Sequence, residues 1–154
     1  MFWILLAAAA AAADLGIKRW IRHHKDLNSS QPILGGRIII TKYFNPGAML
    51  GFMKDQAKLL SGITLVALGL IAGLLLAFTG RKGYGLVKLG LSLLLGGALS
   101  NAWERLTYKK VTDYFRISIG CRRLERVVFN IGDFCIFVGT VLAFIGSMRK
   151  KPHG

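Results

Sequence analysis

VVFNIGDFCIFVGTVLAFIG, residues 127–146, contains twenty residues and one charged side chain, Asp133. A helix needs about 20 predominantly apolar residues to cross a hydrocarbon core of roughly 30 Å. The stretch therefore predicts a membrane-spanning helix, which we extend to 127–148. A carboxylate at membrane depth costs roughly 2.5–3.5 kcal/mol at the centre of a helix on insertion scales. Asp133, near the start of this helix, is therefore expected to have a partner or a function.

The rest of the composition also indicates a membrane protein. Of the 154 residues, 53% are hydrophobic, and the mean hydropathy is +0.49. A single core in so short a chain cannot bury this much apolar surface. Two further apolar segments, 59–78 and 84–103, are long enough to span a bilayer.

The N-terminal stretch MFWILLAAAAAAADLGIKRW has two interpretations. Its small residues are typical of a secretory signal peptide, but it lacks the basic region with which such peptides begin. We therefore predict a retained first helix at 2–20. The expected fold is an all-α membrane protein with four transmembrane helices, formed by a single domain over residues 1–154.

The net charge of the chain is +14, from 21 Lys and Arg against 7 Asp and Glu. The basic residues lie between or beside the apolar segments. There, each one contributes about 1 kcal/mol of attraction to an anionic membrane surface. Membrane lipids with anionic headgroups are thus expected partners. No nucleic-acid motif accompanies the charge, so no nucleic-acid partner is expected.

The cysteines and histidines do not indicate a metal site. Cys121 and Cys135 form neither a disulfide framework nor a metal-ligand pattern. His23 and His24 are adjacent and so do not share a helix face, as paired metal ligands do. We expect two free thiols, no metal and no cofactor.

Two short segments predict β-strands. RIIITKYF, 37–44, is rich in β-branched and aromatic residues and follows two glycines. YFRISIG, 114–120, is a second candidate, and we predict that the two strands pair beside the membrane. AMLGFMKDQAKLL, 48–60, has the spacing of an interfacial amphipathic helix that leads into the second apolar segment.

Small residues recur at four-residue spacing in two of the apolar segments. Gly69 and Gly73 form a GxxxG pair, and Ser92, Gly96 and Ser100 form a similar stripe. Small side chains let membrane helices approach closely. Both patterns therefore predict helix–helix packing.

Asp113, in the loop after the segment 84–103, is a second candidate carboxylate. Because this segment and 127–148 are expected to be antiparallel neighbours, their connecting loop begins and ends on one membrane face. Asp113 and Asp133 can then meet and share a proton, since two adjacent carboxylates do not both ionise easily. One acts as base on a water while the other protonates the substrate carbonyl, which is aspartic-protease chemistry without metal or cofactor. Alternatively, each carboxylate only satisfies a helix end or a nearby basic residue, such as the lysines that precede Asp113.

Polar neighbours favour the first of these alternatives. Asn130 precedes Asp133 by three residues, and Asn101 and Arg105 are four residues apart, so each pair is expected to share a helix face. Amides and a guanidinium beside a carboxylate pair can orient the acids and hold a peptide backbone. The other interpretations are a helix-end hydrogen bond for Asn101 and contact with lipid headgroups for Arg105.

Five motifs, in order, resemble those of the signal peptidase II family, the lipoprotein signal peptidases of bacteria. They are DLGIKRW at 14–20, NPGAMLGF at 45–52 against N-x-G-A, GGALSNAWERL at 96–106 against G-G-A-x-G-N-x-x-D-R, VTDYF at 111–115 against V-V-D-F, and FNIGD at 129–133 against F-N-x-A-D. The resemblance extends over nearly the whole chain.

The resemblance implies a four-helix membrane aspartic protease with a small extracytoplasmic sheet. The implied substrate is a prolipoprotein whose cysteine carries diacylglycerol, cut just before that cysteine. The implied location is the bacterial cell membrane, with the site at its extracytoplasmic face. By matching positions, the catalytic acids are Asp113 and Asp133. The residues that match positions lining or supporting the site are Asn45, Gly47, Asn101, Arg105, Asn130, Asp14 and Lys18.

The sequence departs from these motifs at several positions. Ser100 stands in place of a glycine, Glu104 of an aspartate and Gly132 of an alanine, and an expected aromatic residue is replaced near Met49. None of these changes removes a candidate catalytic acid. A divergent peptidase is the first interpretation. The alternatives are a catalytically silent relative that binds lipidated peptides or partner helices, and a small channel or transporter subunit.

The charge distribution conflicts with the topology that the resemblance implies. The family places both termini in the cytoplasm, so 8 basic residues between Lys18 and Lys58 and 7 between Arg105 and Arg126 would face outward. Lysine and arginine normally gather on the cytoplasmic side. We follow the family, because the site must meet exported substrates.

Overall fold

The computed structural model describes residues 1–46, 57–121 and 123–149. These parts of the chain contain four α-helices: α1 (Phe2–His24), α2 (Ala57–Thr79), α3 (Gly85–Tyr108) and α4 (Ile131–Met148). They also contain three strands: β1 (Gln31–Ile33), β2 (Ile38–Asn45) and β3 (Val111–Ile117). Short 3₁₀ turns lie at Leu34–Gly36 and Leu124–Arg126. Gly47 and most of the predicted interfacial helix lie outside the described residues.

Three helices are long and apolar enough to cross a membrane, over Gly62–Thr79, Gly85–Tyr108 and Ile131–Met148. The fourth predicted span, 2–20, forms α1 and continues to His24. Every stretch of 18 residues within α1 includes Asp14, Lys18 and Arg19, so α1 is less apolar than the other three. The described residues are thus mostly helical, with three candidate membrane spans and a small sheet.

Helices α3 and α4 pack against each other through glycines. A Cβ atom on Gly139 would lie 2.6 Å from the carbonyl oxygen of Gly90, and one on Gly97 would clash with the backbone of Gly132. These contacts run in opposite order along the two helices, so the predicted antiparallel arrangement is confirmed. Close backbone approach is how membrane helices gain van der Waals contact. The end of α3 and the start of α4 therefore lie at the same end of the bundle.

The stripe of small residues on α3 packs against α1. Ser92 and Ser100 are fully buried. A Cβ atom on Gly96 would lie 2.6 Å from the carbonyl oxygen of Ala7, which shows how closely the alanine-rich half of α1 approaches. The predicted packing role of this stripe is confirmed.

The GxxxG pair of α2 does not pack within the described parts of the chain. Nothing lies within 4 Å of a Cβ atom built on Gly69 or Gly73. Helix α2 instead buries Leu75 in a cluster with Val87 and Leu91 of α3. Among the described residues the prediction is wrong, because α2 is apolar on all sides and its pattern does not indicate which side meets α3.

The strands form one antiparallel sheet in the order β1-β2-β3. Strand β2 pairs with β3 in a register that sets Ile38 opposite Ile117 and Tyr43 opposite Asp113. The predicted pairing of two strands is confirmed, with β3 starting three residues earlier than expected. The sequence does not predict β1, because three residues are too few for an alternating pattern. Its Pro32 suits an edge strand, where a missing N–H donor does no harm.

Candidate active site

Asp113 lies in β3, on a face of the sheet that it shares with residues of β2. Tyr43 is directly opposite, and Asn45, two residues further along, projects from the same face because side chains alternate along a strand. The Nδ2 atom of Asn45 donates a hydrogen bond of 3.0 Å to Oδ2 of Asp113. Since Asp113 is buried, this amide replaces water at one of its oxygens.

Asp133 lies in the first turn of α4, where it takes part in a capping box. Its backbone N–H donates to Oδ1 of Asn130 at 2.9 Å, and its Oδ2 accepts from the backbone N–H of Asn130 at 3.1 Å. Such reciprocal bonds satisfy donors left free at a helix start, and they explain why α4 begins at Ile131 rather than at residue 127. The helix-end interpretation therefore applies to one oxygen of Asp133. The other, Oδ1, accepts a hydrogen bond of 2.9 Å from Nδ2 of Asn101.

Asn130 joins the two carboxylates. Its Nδ2 atom donates to Oδ1 of Asp113 at 2.7 Å, while its backbone N–H serves Asp133. The residue is fully buried, so its bond to Asp113 is made away from water, while Asp133 is half-buried. The lysines before Asp113 have other partners: Lys109 donates to the carbonyl of Leu106, and Lys110 lies over the ring of Phe44. The structure thus places Asp113 among amides rather than beside a cation of its own strand.

Burial raises the pKa of Asp113 to about 6. The hydrogen bonds from Asn130 and Asn45 act in the opposite direction, and the negative charge of Asp133 adds to the rise. The two carboxylates can influence each other in this way because both bond to Asn130. A carboxyl group with a pKa near neutrality can both hold and release a proton, as general acid–base chemistry requires.

Asp14 and Lys18 lie behind this pair as a buried ion pair on α1. The Nζ and Oδ2 atoms are 2.7 Å apart. The ammonium also donates to Oγ of Ser100 at 3.0 Å and to Oδ1 of Asn101 at 2.6 Å, so each of its three N–H donors has an acceptor. Because the other end of the Asn101 amide bonds to Asp133, Lys18 reaches the candidate catalytic acid through a single side chain.

Glu104 has no role assigned from its sequence pattern. The structure places it in a buried network that joins the first one, since its Oε2 atom lies 3.9 Å from Nζ of Lys18. Its carboxylate accepts from the backbone N–H of Thr112 at 2.6 Å and from the hydroxyl at 2.9 Å. Its Oε1 atom also lies 2.6 Å from Nη2 of Arg22. This contact is an ion pair, but its angles are not those of a hydrogen bond. These contacts fix the start of β3, and therefore Asp113, against the end of α3. The feature of the sequence that could have indicated a role for Glu104 is its position, as an acidic residue at the end of an apolar segment.

Tyr114 is a second residue whose role has no signal in the sequence pattern. Its buried hydroxyl donates to Oδ1 of Asp14 at 2.8 Å and accepts from the backbone N–H of Ile131 at 2.9 Å. Burial raises the pKa of this hydroxyl, so it stays protonated. The residue follows Asp113 along β3 and projects from the opposite face. It therefore connects α1, β3 and the start of α4.

Two of the predicted site residues do not join this network. The guanidinium of Arg105 is half-buried and makes no hydrogen bond or ion pair with any residue that the structure describes. Gly47 lies outside the described residues. The other predicted residues, namely Asn45, Asn101, Asn130, Asp14, Lys18 and the two acids, form one connected cluster of hydrogen bonds and ion pairs.

A bundle of largely apolar helices has, at one end, the buried carboxylate of Asp113 and the half-buried carboxylate of Asp133, both bonded to Asn130. These are the features expected of a membrane aspartic peptidase. Comparison with known proteins agrees. A sequence profile described as signal peptidase (SPase) II matches residues 6–149. The chain belongs to the signal peptidase II family.

Individual relatives support this assignment. The lipoprotein signal peptidase of Geobacillus thermodenitrificans (strain NG80-2) is 33% identical over 146 residues, which cover 94% of this chain and 88% of the relative. That of Moorella thermoacetica (strain ATCC 39073 / JCM 9320) is 33% identical over 143 residues, covering 92% and 89%. A solved structure of a bacterial membrane enzyme, obtained by the in meso method at 1.9 Å resolution, is 24% identical. It superposes with a TM-score of 0.82 over 97% of this chain and 94% of its own, so the fold is shared.

Proposed function

We propose that this chain removes the signal peptide from diacylglyceryl-modified prolipoproteins, cutting just before the lipidated cysteine. The observation that carries the proposal is the side chain and backbone of Asn130, which bond to Asp113 and Asp133 respectively at the end of the helix bundle. The relatives named lipoprotein signal peptidases support the class of substrate.

In the proposed reaction the carboxyl pair begins with one proton. The ionised member takes a proton from a water molecule, whose oxygen bonds to the carbonyl carbon before the cysteine. The protonated member gives its proton to the carbonyl oxygen, which produces a neutral tetrahedral intermediate. When the C–N bond breaks, one carboxyl gives its proton to the leaving nitrogen and the other recovers a proton from a hydroxyl of the intermediate. The pair is then ready for another turnover.

The surrounding residues have distinct proposed roles. Asn45, Asn101 and Asn130 each donate to a carboxylate oxygen, which keeps the acids in a reactive orientation. Arg105 is assigned to the peptide backbone of the substrate, because its guanidinium has no partner among the described residues. Gly47 is assigned to the substrate-binding side on the resemblance alone. Asp14 and Lys18 act as positioning residues, since they reach Asp133 only through other side chains.

We further propose that α1 is a fourth membrane span, with both termini in the cytoplasm and the site and sheet at the extracytoplasmic face of the bacterial cell membrane. Asp14, Lys18 and Arg22 are compatible with this because they are paired inside the protein. Asp14 pairs with Lys18, and Arg22 pairs with Glu104. Ionisable residues within membranes are normally paired in this way, facing the bundle interior. Arg19 is exposed and lies toward the end of the helix, from which a long basic side chain can reach the headgroups.

A groove between α1 and α3 supports lipid contact by the outward basic residues. It has a volume of about 660 Å³, and its basic and aromatic lining residues are Arg19, Arg22, His23, Trp103 and Tyr108. Leu15 and Glu104 also line it, and the carboxylate of Glu104 is paired with Arg22. Aromatic and basic residues together are typical of the membrane–water interface. We propose that the phosphate groups of anionic lipids occupy this groove, which would help to hold positive charge on the outer face.

The test of the activity is cleavage of a diacylglyceryl-modified prolipoprotein by the purified protein in detergent. Asp113→Asn and Asp133→Asn variants run alongside, and the same prolipoprotein without the diacylglyceryl group is the substrate control. We expect cleavage before the lipidated cysteine, lost in both variants, because an asparagine cannot exchange a carboxyl proton. Retained cleavage in either variant would remove that residue from the catalytic pair. Binding of the lipidated substrate without cleavage by the folded wild type would indicate a catalytically silent relative.

A further inference from the structure

The carboxylate of Asp14 is fully buried where α1, α3 and α4 meet. Its Oδ2 atom accepts a hydrogen bond of 2.6 Å from the hydroxyl of Ser100 and pairs with Lys18 at 2.7 Å. The Ser100 hydroxyl also accepts from Lys18 at 3.0 Å. The three groups thus form a closed triangle, in which Ser100 holds both members of the ion pair.

Gly132, in the first turn of α4, is the residue against which this carboxylate packs. A Cβ atom there would lie 2.8 Å from Oδ2 of Asp14, 2.9 Å from Oδ1 of Asn130 and 3.1 Å from the carbonyl oxygen of Gly97. A methyl group does not fit at the first two distances, so a neighbour would have to move. Asn130 is held by the helix cap and Gly97 is backbone, which leaves the side chain of Asp14 to give way.

Ser100 and Gly132 are also two of the positions at which the sequence departs from the motifs described above. One carries a hydroxymethyl group in place of hydrogen, the other hydrogen in place of a methyl group, and both face Oδ2 of Asp14. We propose that Ser100 and Gly132 are a coupled positioning pair. The Ser100 hydroxyl draws the Asp14 carboxylate into space that only a glycine at position 132 leaves open.

The pair acts on the reaction through Lys18 and Asn101. Lys18 donates to Oδ1 of Asn101 at 2.6 Å, and Nδ2 of Asn101 donates to Oδ1 of Asp133 at 2.9 Å. A displaced Asp14 carries Lys18 with it and turns the amide that orients Asp133. Misplacement of a reacting group by about 1 Å can cost on the order of 100-fold in rate. The inference rests on the proposed function, because turnover by the Asp113–Asp133 pair is its main readout.

The test is a double-mutant cycle on the full chain in detergent, with a diacylglyceryl-modified prolipoprotein as substrate. Gly132→Ala is expected to lower kcat by about 10- to 100-fold with little change in KM, since a reacting acid is misplaced while the substrate surface is intact. Ser100→Gly removes the hydroxyl and opens space beside Asp14. Added to Gly132→Ala, it is expected to restore kcat by about 10-fold, so that the double variant is more active than Gly132→Ala alone.

Ser92→Gly is the matched control for the rescue. Ser92 is an equally buried serine of α3, and its hydroxyl donates to the carbonyl of Lys88 at 2.7 Å rather than to Asp14. Ser92→Gly should not rescue Gly132→Ala, although it destabilises α3 in the same way by introducing a glycine into the helix. Additive effects of Ser100→Gly and Gly132→Ala, or equal rescue by Ser92→Gly, would overturn the coupling.

Thermal unfolding of the same variants keeps the inference separate from the proposed function. If Gly132→Ala does not fold, Ser100→Gly should restore a folded, monodisperse protein and Ser92→Gly should not. If the wild type folds but does not cleave the substrate, the proposed function fails, while the unfolding midpoints still decide the coupling. If the changes in unfolding midpoint caused by Ser100→Gly and Gly132→Ala simply add in the double variant, the coupling is overturned.

Discussion

Asp113 couples the stability of the protein to pH. Its pKa is raised from an ordinary 3.8 to about 6, mainly by burial, so the folded protein holds this proton more tightly than the unfolded chain. The free energy of unfolding is therefore expected to fall as the pH rises from about 4 to above 6, by about 3 kcal/mol at most. Unfolding midpoints of the wild type and Asp113→Asn in detergent measure this contribution. The variant, which lacks the titrating group, should depend less on pH. If the unfolding midpoints of the two proteins changed equally with pH, the raised pKa of Asp113 would be contradicted.

Tyr114 provides a test of a single hydroxyl. Tyr114→Phe keeps the ring but leaves Oδ1 of Asp14 and the backbone N–H of Ile131 without this partner. Leaving buried polar groups unsatisfied costs about 1–3 kcal/mol, so we expect a lower unfolding midpoint. Tyr108→Phe is the matched control, because Tyr108 is exposed and its ring, rather than its hydroxyl, contacts Arg22. Equal midpoints for Tyr114→Phe and the control would contradict the bridging role.

The glycines between α3 and α4 make a third prediction, which concerns a pair of helices. Gly139→Ala would place a methyl group 2.6 Å from the carbonyl oxygen of Gly90, and backbone cannot move aside as a side chain does. Overpacking of this kind costs about 1–3 kcal/mol, and a lower unfolding midpoint in detergent is expected. Gly73→Ala, on the open face of α2, is the control and should leave the midpoint unchanged or raise it, since alanine favours a helix. The close packing of α3 on α4 would be refuted if Gly139→Ala were as stable as Gly73→Ala.

The elements that the sequence predicts are those whose signal is local. A run such as 127–148 indicates a helix by its apolar length alone, and the β-branched stretch 37–44 indicates a strand. The exact start of α4 depends on the cap formed by Asn130, which a hydropathy pattern does not contain. β1 was beyond prediction because its three residues are defined only by pairing with β2.

The candidate site divides in the same way. The pairing of Asp14 with Lys18 follows from their four-residue spacing on one helix. The bonds from Ser100 and Tyr114 to Asp14 cross 86 and 100 residues of sequence, so no spacing rule reaches them. They arise only once α1, α3 and β3 are assembled. The sequence therefore indicates the polar residues that belong together, while the fold decides which atoms meet.

The groove between α1 and α3 makes a prediction about the protein in its bilayer. If anionic headgroups occupy it, Arg19→Gln should reduce the anionic lipid that remains bound after purification, because each basic residue contributes about 1 kcal/mol at such a surface. Native mass spectrometry counts the retained lipids. Arg81→Gln, in the turn between α2 and α3, is the control with the same loss of charge. A larger loss of lipid in the control would argue against the groove.

The orientation of the whole chain is set by a competition between charge and assembly. The rule that lysine and arginine gather inside counts residues in short loops near helix ends, and part of the outward charge is neutralised by the pairs Asp14–Lys18 and Arg22–Glu104. Four spans would return both termini to one side, together with Arg81, Lys82 and the basic tail. We therefore expect a C-terminal fluorescent reporter that matures only in the cytoplasm to be bright. The same reporter fused after residue 110, where three spans have been made, should be dark. A dark C-terminal fusion with a bright fusion at 110 would show the opposite orientation. The Asp113–Asp133 pair would then face the cytoplasm, away from exported lipoproteins.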